Sequence, residues 1–254
     1  MGGKMPRAME LAAFRRAPTA AKAAEPKEGG YTREYYMTRG GPMFRLEVRH
    51  LLALAAPSRN DRVLELGCGA GSLLDACKRK RAPALAMGLD VNRAAVALAG
   101  QVAPVALADA ARLPLADGAF DAVIAQHLLE HFERPDEAVR EWRRVLSANG
   151  RVAVATPNAA YPDPSVFDDP THHHIYSLRD MRRLFEHCGF RVERCYTLMP
   201  FFGSRRLTWV LAKLFPRLLP LLRLVPCFRA RGLTLFLCAT KTEQSPGQER
   251  RSDE

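Results

Sequence analysis

A turn rich in glycine follows an apolar segment early in the chain and carries the clearest chemical signal. Residues 62–66 have the pattern of a buried strand, and this strand runs straight into Gly67, Gly69 and Gly71. Glycine takes positive φ values freely and lets a ligand approach the main chain closely. A phosphate-binding P-loop would end in Gly-Lys-Ser/Thr, but Gly71 is followed by Ser72 and no lysine. The turn therefore predicts a nucleoside cofactor rather than a P-loop phosphate site.

The spacing of the glycines also argues against a dinucleotide. That fingerprint places its third glycine one residue later, where Ser72 stands, and it does not require an acid two residues before the first glycine. Here Glu65 occupies that position. The pattern Glu-x-Gly-x-Gly-x-Gly thus favours another cofactor.

Two carboxylates are expected beside this turn. The second predicted strand, 84–89, ends on Asp90, and the third, near 105–107, leads into Asp109. The carboxyl ends of parallel strands meet at one edge of a sheet, where a carboxylate can accept both hydroxyls of a ribose. Asp90 is the predicted ribose ligand.

Histidines follow two further predicted strands. His131 comes after the fourth strand, 122–125, and the run 172–174 comes after the fifth, 151–155. Histidine is the side chain best matched to proton transfer at neutral pH. His131, His172 and His174 are therefore candidate catalytic bases, with a structural or surface role as the alternative at each position.

Together these features resemble the successive motifs of the class I S-adenosylmethionine-dependent methyltransferases. A further match begins at Asp117-x-x-Phe-Asp before the fourth strand and ends in Leu-Leu-Glu-His at His131. The resemblance covers roughly residues 33–200 and is closest to the branch with small-molecule and quinone-type enzymes.

The resemblance implies S-adenosylmethionine as the cofactor and a contact of Asp109 with its adenine amino group. The implied cofactor-binding residues are Glu65, Gly67, Cys68, Gly69, Gly71, Asp90, Val91, Asp109, Ala110 and Gln126. Methyl transfer needs an aligned acceptor, and a hydroxyl acceptor also needs a base to take its proton.

We predict a site without a metal ion. Some quinone-pathway O-methyltransferases are similar to this chain at a Glu-x-x-Glu-His segment that holds a divalent ion, but His127 replaces the first glutamate here. His127, Glu130, His131 and one histidine of 172–174 remain as an alternative ligand set.

The fold class predicted is α/β, because helical and strand patterns alternate from about Pro42 to Met199 as a doubly wound parallel sheet requires. The helix that opens at Pro135 is expected to stop at Asn149-Gly150, before the fifth strand. The resemblance implies a seven-stranded Rossmann-like sheet whose last strand, 233–240, inserts antiparallel beside strand six.

Residues 200–231 form a basic, apolar helical insertion before that last strand, with seven basic residues and no acid. Charges and prolines interrupt the run of about 20 apolar residues that a spanning helix needs. The segment suits either an interfacial element on anionic lipid or a lid over the substrate pocket. Both interpretations favour an apolar acceptor.

Around this insertion we expect a flexible leader at 1–30, a methyltransferase domain at 31–242 and a flexible tail at 243–254. Six cysteines without a Cys-x-x-Cys pair suggest neither a zinc site nor a disulfide framework. The cysteines favour a cytoplasmic protein. The insertion at 200–231 adds the expectation of peripheral contact at the inner membrane surface.

The sequence therefore predicts a methyltransferase for a small-molecule or lipid-linked acceptor. The net charge of +11 keeps an RNA-modifying methyltransferase as an alternative, but the chain lacks the Asn/Asp-Pro-Pro-Tyr/Phe motif of amino-methylating nucleic-acid enzymes. A non-catalytic methyltransferase-like partner protein is the third interpretation.

Overall fold

A seven-stranded mixed sheet organises the protein. The computed structural model describes residues 34, 41–160, 169–200, 210, 213, 214 and 232–242. The strands are β1 (Arg62–Leu66), β2 (Leu85–Asp90), β3 (Val105–Leu107), β4 (Phe120–Gln126), β5 (Leu146–Pro157), β6 (Phe190–Pro200) and β7 (Gly232–Lys241). Their order across the sheet is 3-2-1-4-5-7-6. β7 is antiparallel to both β5 and β6, which confirms the predicted fold class.

Helices connect the strands and cover both faces of the sheet. They are α1 (Pro42–Ala55), α2 (Ser72–Arg81), α3 (Arg93–Ala99), α4 (Pro135–Val145) and α5 (Leu178–His187), with a 3-10 turn at Leu129–His131. Local capping explains where they begin. The Asn92 side chain accepts hydrogen bonds from the first turn of α3, and Ser177 with Asp180 forms a capping box at the start of α5.

The core has one apolar layer on each face of the sheet. On one face, Trp142 of α4 and Phe185 of α5 are fully buried against the strands. On the other, Leu51 and Leu52 of α1 pack with Phe236 of β7. Helix α1 is thus part of the same core as the sheet.

The predicted boundary between α4 and β5 was wrong. The helix ends at Val145 and the strand already begins at Leu146, several residues before Asn149-Gly150. Leu146 pairs with Phe120 of β4, and this pairing ends the helix before the Asn-Gly signal is reached. Asn149 and Gly150 lie inside the long strand.

Both ends of the predicted insertion lie at the carboxyl edge of the sheet, because β6 ends at Pro200 and β7 begins opposite it at Gly232. The insertion itself, apart from Pro200, Val210, Lys213 and Leu214, falls outside the described residues, as do the predicted leader and tail. In the part of the chain that the structure describes, every helix is too short or too polar to cross a membrane.

Replacing Trp142 by Phe should destabilise the protein by about 2 kcal/mol. The indole Nε1–H donates to the buried Ala110 carbonyl at 3.0 Å, so the change leaves that carbonyl unpaired and removes buried volume. Urea unfolding followed by circular dichroism measures the loss. Glu137→Gln on the exposed side of α4 is the control and should change stability by less than about 0.5 kcal/mol; equal stability of the two variants would contradict the prediction.

Candidate cofactor and acceptor site

The glycine turn joins β1 to α2 in a conformation that other residues adopt only with strain. Gly67, Gly69 and Gly71 have φ values of 64°, 52° and 81°. A Cβ on Gly67 would lie 3.1 Å from Cδ1 of Leu128, and one on Gly71 would lie 3.1 Å from Ala99. The turn is therefore packed between the segment after β4 and helix α3, and its open side faces the carboxyl edge.

Asp90 links this turn to the end of β2. Its Oδ2 accepts the Gly69 N–H at 2.9 Å and its Oδ1 accepts the Asn92 N–H at 2.8 Å. Burial raises the pKa of this carboxyl, while the main-chain donors lower it in part. A carboxylate oxygen can accept two hydrogen bonds, so Asp90 keeps capacity for the hydroxyls of a ribose.

An exposed apolar surface lies next to Asp90. Val91 is 60% exposed and Leu107 is 41% exposed, and Leu107 is the β3 register partner of Asp90. The Asp109 carboxylate follows on the same edge and accepts the Ala111 N–H at 2.8 Å. Exposed aliphatic side chains flanked by carboxylates suit the flat ring and the polar edge of a nucleoside.

Glu65 is a buried acid at the base of the turn. Burial raises its pKa well above the ordinary range, and the neighbouring Asp90 raises it further. Its carboxyl accepts a hydrogen bond from the Leu74 main chain in the first turn of α2, where N–H groups lack partners within the helix. Its Oε2 has no hydrogen-bond partner among the described residues, so the acid keeps one unused polar atom below the turn.

A charged triad lies at the same edge after β4. His127 Nε2 donates to Glu47 Oε2 at 3.0 Å, and His127 Nδ1 lies 3.4 Å from Glu130 Oε1. Both carboxylates are buried, whereas the imidazole is 20% exposed. Although burial opposes charge, the two carboxylates raise the pKa of His127 to about 10, and the imidazolium lowers the pKa of both Glu47 and Glu130.

Neutral side chains donate further hydrogen bonds to the triad. Glu47 accepts from Gln126 Nε2 at 2.9 Å and from Thr234 Oγ1 at 2.6 Å. Glu130 accepts from Thr156 Oγ1 at 2.9 Å through Oε2, whereas its Oε1 has the ion pair with His127 and no hydrogen-bond partner among the described residues. The network joins α1, β4, β5 and β7 at one point and gives each buried carboxylate an opposite charge and a hydrogen bond.

His131 and His172 lie beside this triad. The Thr171 carbonyl accepts from His131 Nδ1 at 3.0 Å, which places the proton of the neutral ring on Nδ1 and leaves Nε2 as the basic nitrogen. The rings of His131 and His172 are 5.0 Å apart. The ring of His174 instead donates through Nε2 to the Glu133 carbonyl at 3.2 Å.

Comparison with known proteins agrees with this geometry. Residues 64–154 match a family model described as a methyltransferase domain. A ubiquinone/menaquinone biosynthesis C-methyltransferase of Cupriavidus metallidurans is 33% identical over 122 residues, 45% of this chain and 50% of its own length. A probable S-adenosylmethionine-dependent methyltransferase of Mycolicibacterium smegmatis is 32% identical over 151 residues, 56% of each chain.

Residues 64–154 form a class I S-adenosylmethionine-dependent methyltransferase domain. A solved SAM-dependent methyltransferase from Archaeoglobus fulgidus shares the fold, with a TM-score of 0.60 at 20% identity, over 80% of this chain and 96% of that one. The chain spans about half the length of the curated relatives it matches.

The remaining predicted cofactor residues of the methyltransferase domain lie at or near the turn. Cys68 is buried behind it, and burial raises the pKa of the thiol. The Ala110 carbonyl is held by Trp142, and the side chain of Gln126 is held by Glu47. Direct cofactor contacts of these three residues stay predictions.

Sequence reasoning missed the role of Glu47 and treated His127 as a departure from a metal motif and as one alternative metal ligand. Glu47 lies 80 residues before His127 and outside the matched domain, so no local motif joins the two. One signal was available: Glu47 stands between Leu46 and Val48, and all three are buried in α1. An acid buried in a helix needs a partner.

Three of the alternative metal ligands lie close together. Glu130, His131 and His172 offer ligand atoms within 4.8 Å of one another. Glu130, however, is already engaged by His127 and Thr156. A metal-free site stays the prediction.

The triad predicts a pH-dependent stability. Because the folded pKa of His127 is raised to about 10, its contribution is complete below the ordinary histidine pKa of about 6.5 and is lost as the pH rises toward 10. His127→Asn, which tolerates the φ of 50°, should cost about 3 kcal/mol near pH 6, and the difference from wild type should shrink steadily from pH 7 to 10. Urea unfolding across this range measures it.

The matched control is His187→Asn, because this histidine is exposed on α5 beside Arg140. Its difference from wild type should be small throughout. A His127→Asn difference that stays constant from pH 6 to 10 would show that the imidazole is neutral in the folded protein.

Proposed function

We propose that this protein transfers a methyl group from S-adenosylmethionine to a small, apolar or lipid-linked acceptor. The proposal depends above all on one observation, the glycine turn hydrogen-bonded to the buried Asp90 carboxylate. This arrangement offers main-chain approach to the cofactor together with a ribose ligand. Val91 and Leu107 add the apolar surface that an adenine ring needs.

In this proposal the main contribution of the protein is to position the acceptor against the cofactor. The transferred carbon is already activated by the sulfonium, so holding the acceptor in line with the breaking bond supplies most of the rate. The new bond forms between acceptor and methyl carbon while the electron pair of the S–C bond goes to sulfur. A hydroxyl acceptor must also lose a proton, for which His131 is the best placed base.

The tautomer of His131 supports that role. Its Nδ1–H is held by the Thr171 carbonyl, so the lone pair of the neutral ring is on Nε2. His127 is a poor base because its pKa is raised to about 10 by two carboxylates and the imidazole stays protonated at neutral pH. His174 is tied to Glu133, and His172 lies beside His131 as a second candidate.

Two observations support an apolar or lipid-linked acceptor. Relatives of this domain include proteins named as ubiquinone/menaquinone biosynthesis C-methyltransferases. The basic, apolar segment 201–231 leaves and re-enters the sheet at the carboxyl edge, beside the triad. We propose that this segment contacts the acceptor or the anionic membrane surface inside the cell in which the acceptor is dissolved.

Isothermal titration with S-adenosylhomocysteine tests cofactor binding directly. Wild type should bind it and should not bind NAD. Asp90→Asn should weaken binding about 10- to 100-fold, because charged hydrogen bonds to both ribose hydroxyls are lost. Gly67→Ala should abolish binding, since φ is 64° and the Cβ would press on Leu128.

Asp136→Asn is the control for this titration, because Asp136 pairs with Arg140 on α4, and it should bind like wild type. Unchanged affinity in both Asp90→Asn and Gly67→Ala would refute the proposed cofactor site. Preferential binding of NAD would refute the cofactor class.

Methyl-labelled S-adenosylmethionine tests the reaction and the base. Label should pass into quinols or lipids in anionic vesicles rather than into RNA. His131→Gln should keep the affinity for S-adenosylhomocysteine and lower transfer to a hydroxyl acceptor at least about 100-fold. His173→Gln is the matched control, because it makes the same substitution at a neighbouring histidine whose imidazole lies 3.9 Å from the Glu133 carboxylate. This variant should transfer the methyl group at the wild-type rate. Equal transfer by the two variants would remove His131 from the mechanism.

A further inference from the structure

The triad leaves an unbalanced charge in a buried place. Glu47 and Glu130 are buried carboxylates, and His127 is the cation between them. Their direct hydrogen-bonding partners Gln126, Thr156 and Thr234 are neutral. The set therefore carries one net negative charge where burial keeps screening by salt and water weak.

This charge lies close to the cofactor turn. His127 is the direct neighbour of Leu128, whose side chain packs against Gly67. The imidazole keeps one-fifth of its surface exposed at the carboxyl edge. From here the field of the triad reaches the space in front of the turn.

We propose that the Glu47–His127–Glu130 triad makes the site select for a positive charge at the reaction centre and against an anionic group there. This inference rests on the proposed function and adds which charge the proposed site prefers in its ligands. The cofactor is a sulfonium cation before transfer, and its product is a neutral thioether. The triad would therefore hold the cofactor more tightly than the product and would accept an acceptor that arrives as a neutral hydroxyl or an amine.

Glu47 has a defined part in this selection. It belongs to α1, outside the matched methyltransferase domain, and it supplies the second carboxylate that makes the triad negative rather than neutral. If Glu130 were the only carboxylate beside His127, the imidazolium would cancel its charge and the group would be neutral. Glu47 is thus a residue that sets specificity through charge.

Two cofactor analogues separate this role from a structural one. Sinefungin carries an ammonium group in place of the methyl sulfonium, whereas S-adenosylhomocysteine is neutral at that position. A purely structural change alters the affinity of both, but a change of charge alters their ratio. Titration calorimetry of both ligands at pH 7.5 and constant salt gives that ratio for each protein.

Wild type should bind sinefungin about tenfold more tightly than S-adenosylhomocysteine, as expected for one charge at about 12 Å in a medium of effective dielectric about 20. Glu47→Gln and Glu130→Gln each remove one negative charge with little change of shape and should bring the ratio close to one. Glu186→Gln, an exposed acid on α5 paired with Arg182, removes the same charge far from the site and should keep the wild-type ratio. Urea unfolding first establishes that each variant is folded.

The outcomes are distinct. A wild-type ratio at or below one overturns the inference without any variant. A tenfold ratio that persists in a folded Glu47→Gln or Glu130→Gln protein also overturns it, because the selectivity then comes from elsewhere. Failure of wild type to bind either analogue instead refutes the proposed function on which the inference rests.

Discussion

The hydrogen bond from the Gly69 N–H to Asp90 is the constraint on which the cofactor side depends. It joins the turn after β1 to the end of β2, so that the unusual backbone of the glycines is held by a neighbouring strand rather than by the turn alone. The same carboxylate accepts the Asn92 N–H at the start of α3. One buried acid thereby sets the relative position of two loops, and the apolar side chains beside it become a surface with a fixed shape.

The region after β4 is organised by charge instead. Glu47, His127 and Glu130 bring together segments that are distant in sequence, and the loss of one member of a buried ion network of this kind is strongly destabilising. The same network explains why neighbouring histidines have different chemistry. His127 is held as a cation, while His131 is oriented by a main-chain carbonyl and keeps a basic nitrogen. Sequence position alone does not separate the two.

The cofactor half could be predicted because its residues are local in sequence and their types follow from the geometry they must adopt. Gly67, Gly69 and Gly71 need positive φ, and strand ends place Asp90 and Asp109 at one edge. The charged triad after β4 could not be predicted, since the partner of His127 lies 80 residues away and buried pairing leaves only the weak signal of an acid in an apolar helix face. The start of β5 was also missed, because pairing of Leu146 with β4 overrides the local Asn-Gly signal.

The antiparallel strand β7 has a further consequence for how such a protein diversifies. Pro200 and Gly232 are register partners, and the strand ends are held by hydrogen bonds from Asn158 to the Gly232 carbonyl and from the Gly232 N–H to Thr197. The chain leaves and rejoins the sheet at almost the same place, so the closure entropy changes only slowly with the number of residues between them. This junction is a point where segments of different length and polarity can be exchanged during evolution while the sheet and the cofactor turn stay unchanged.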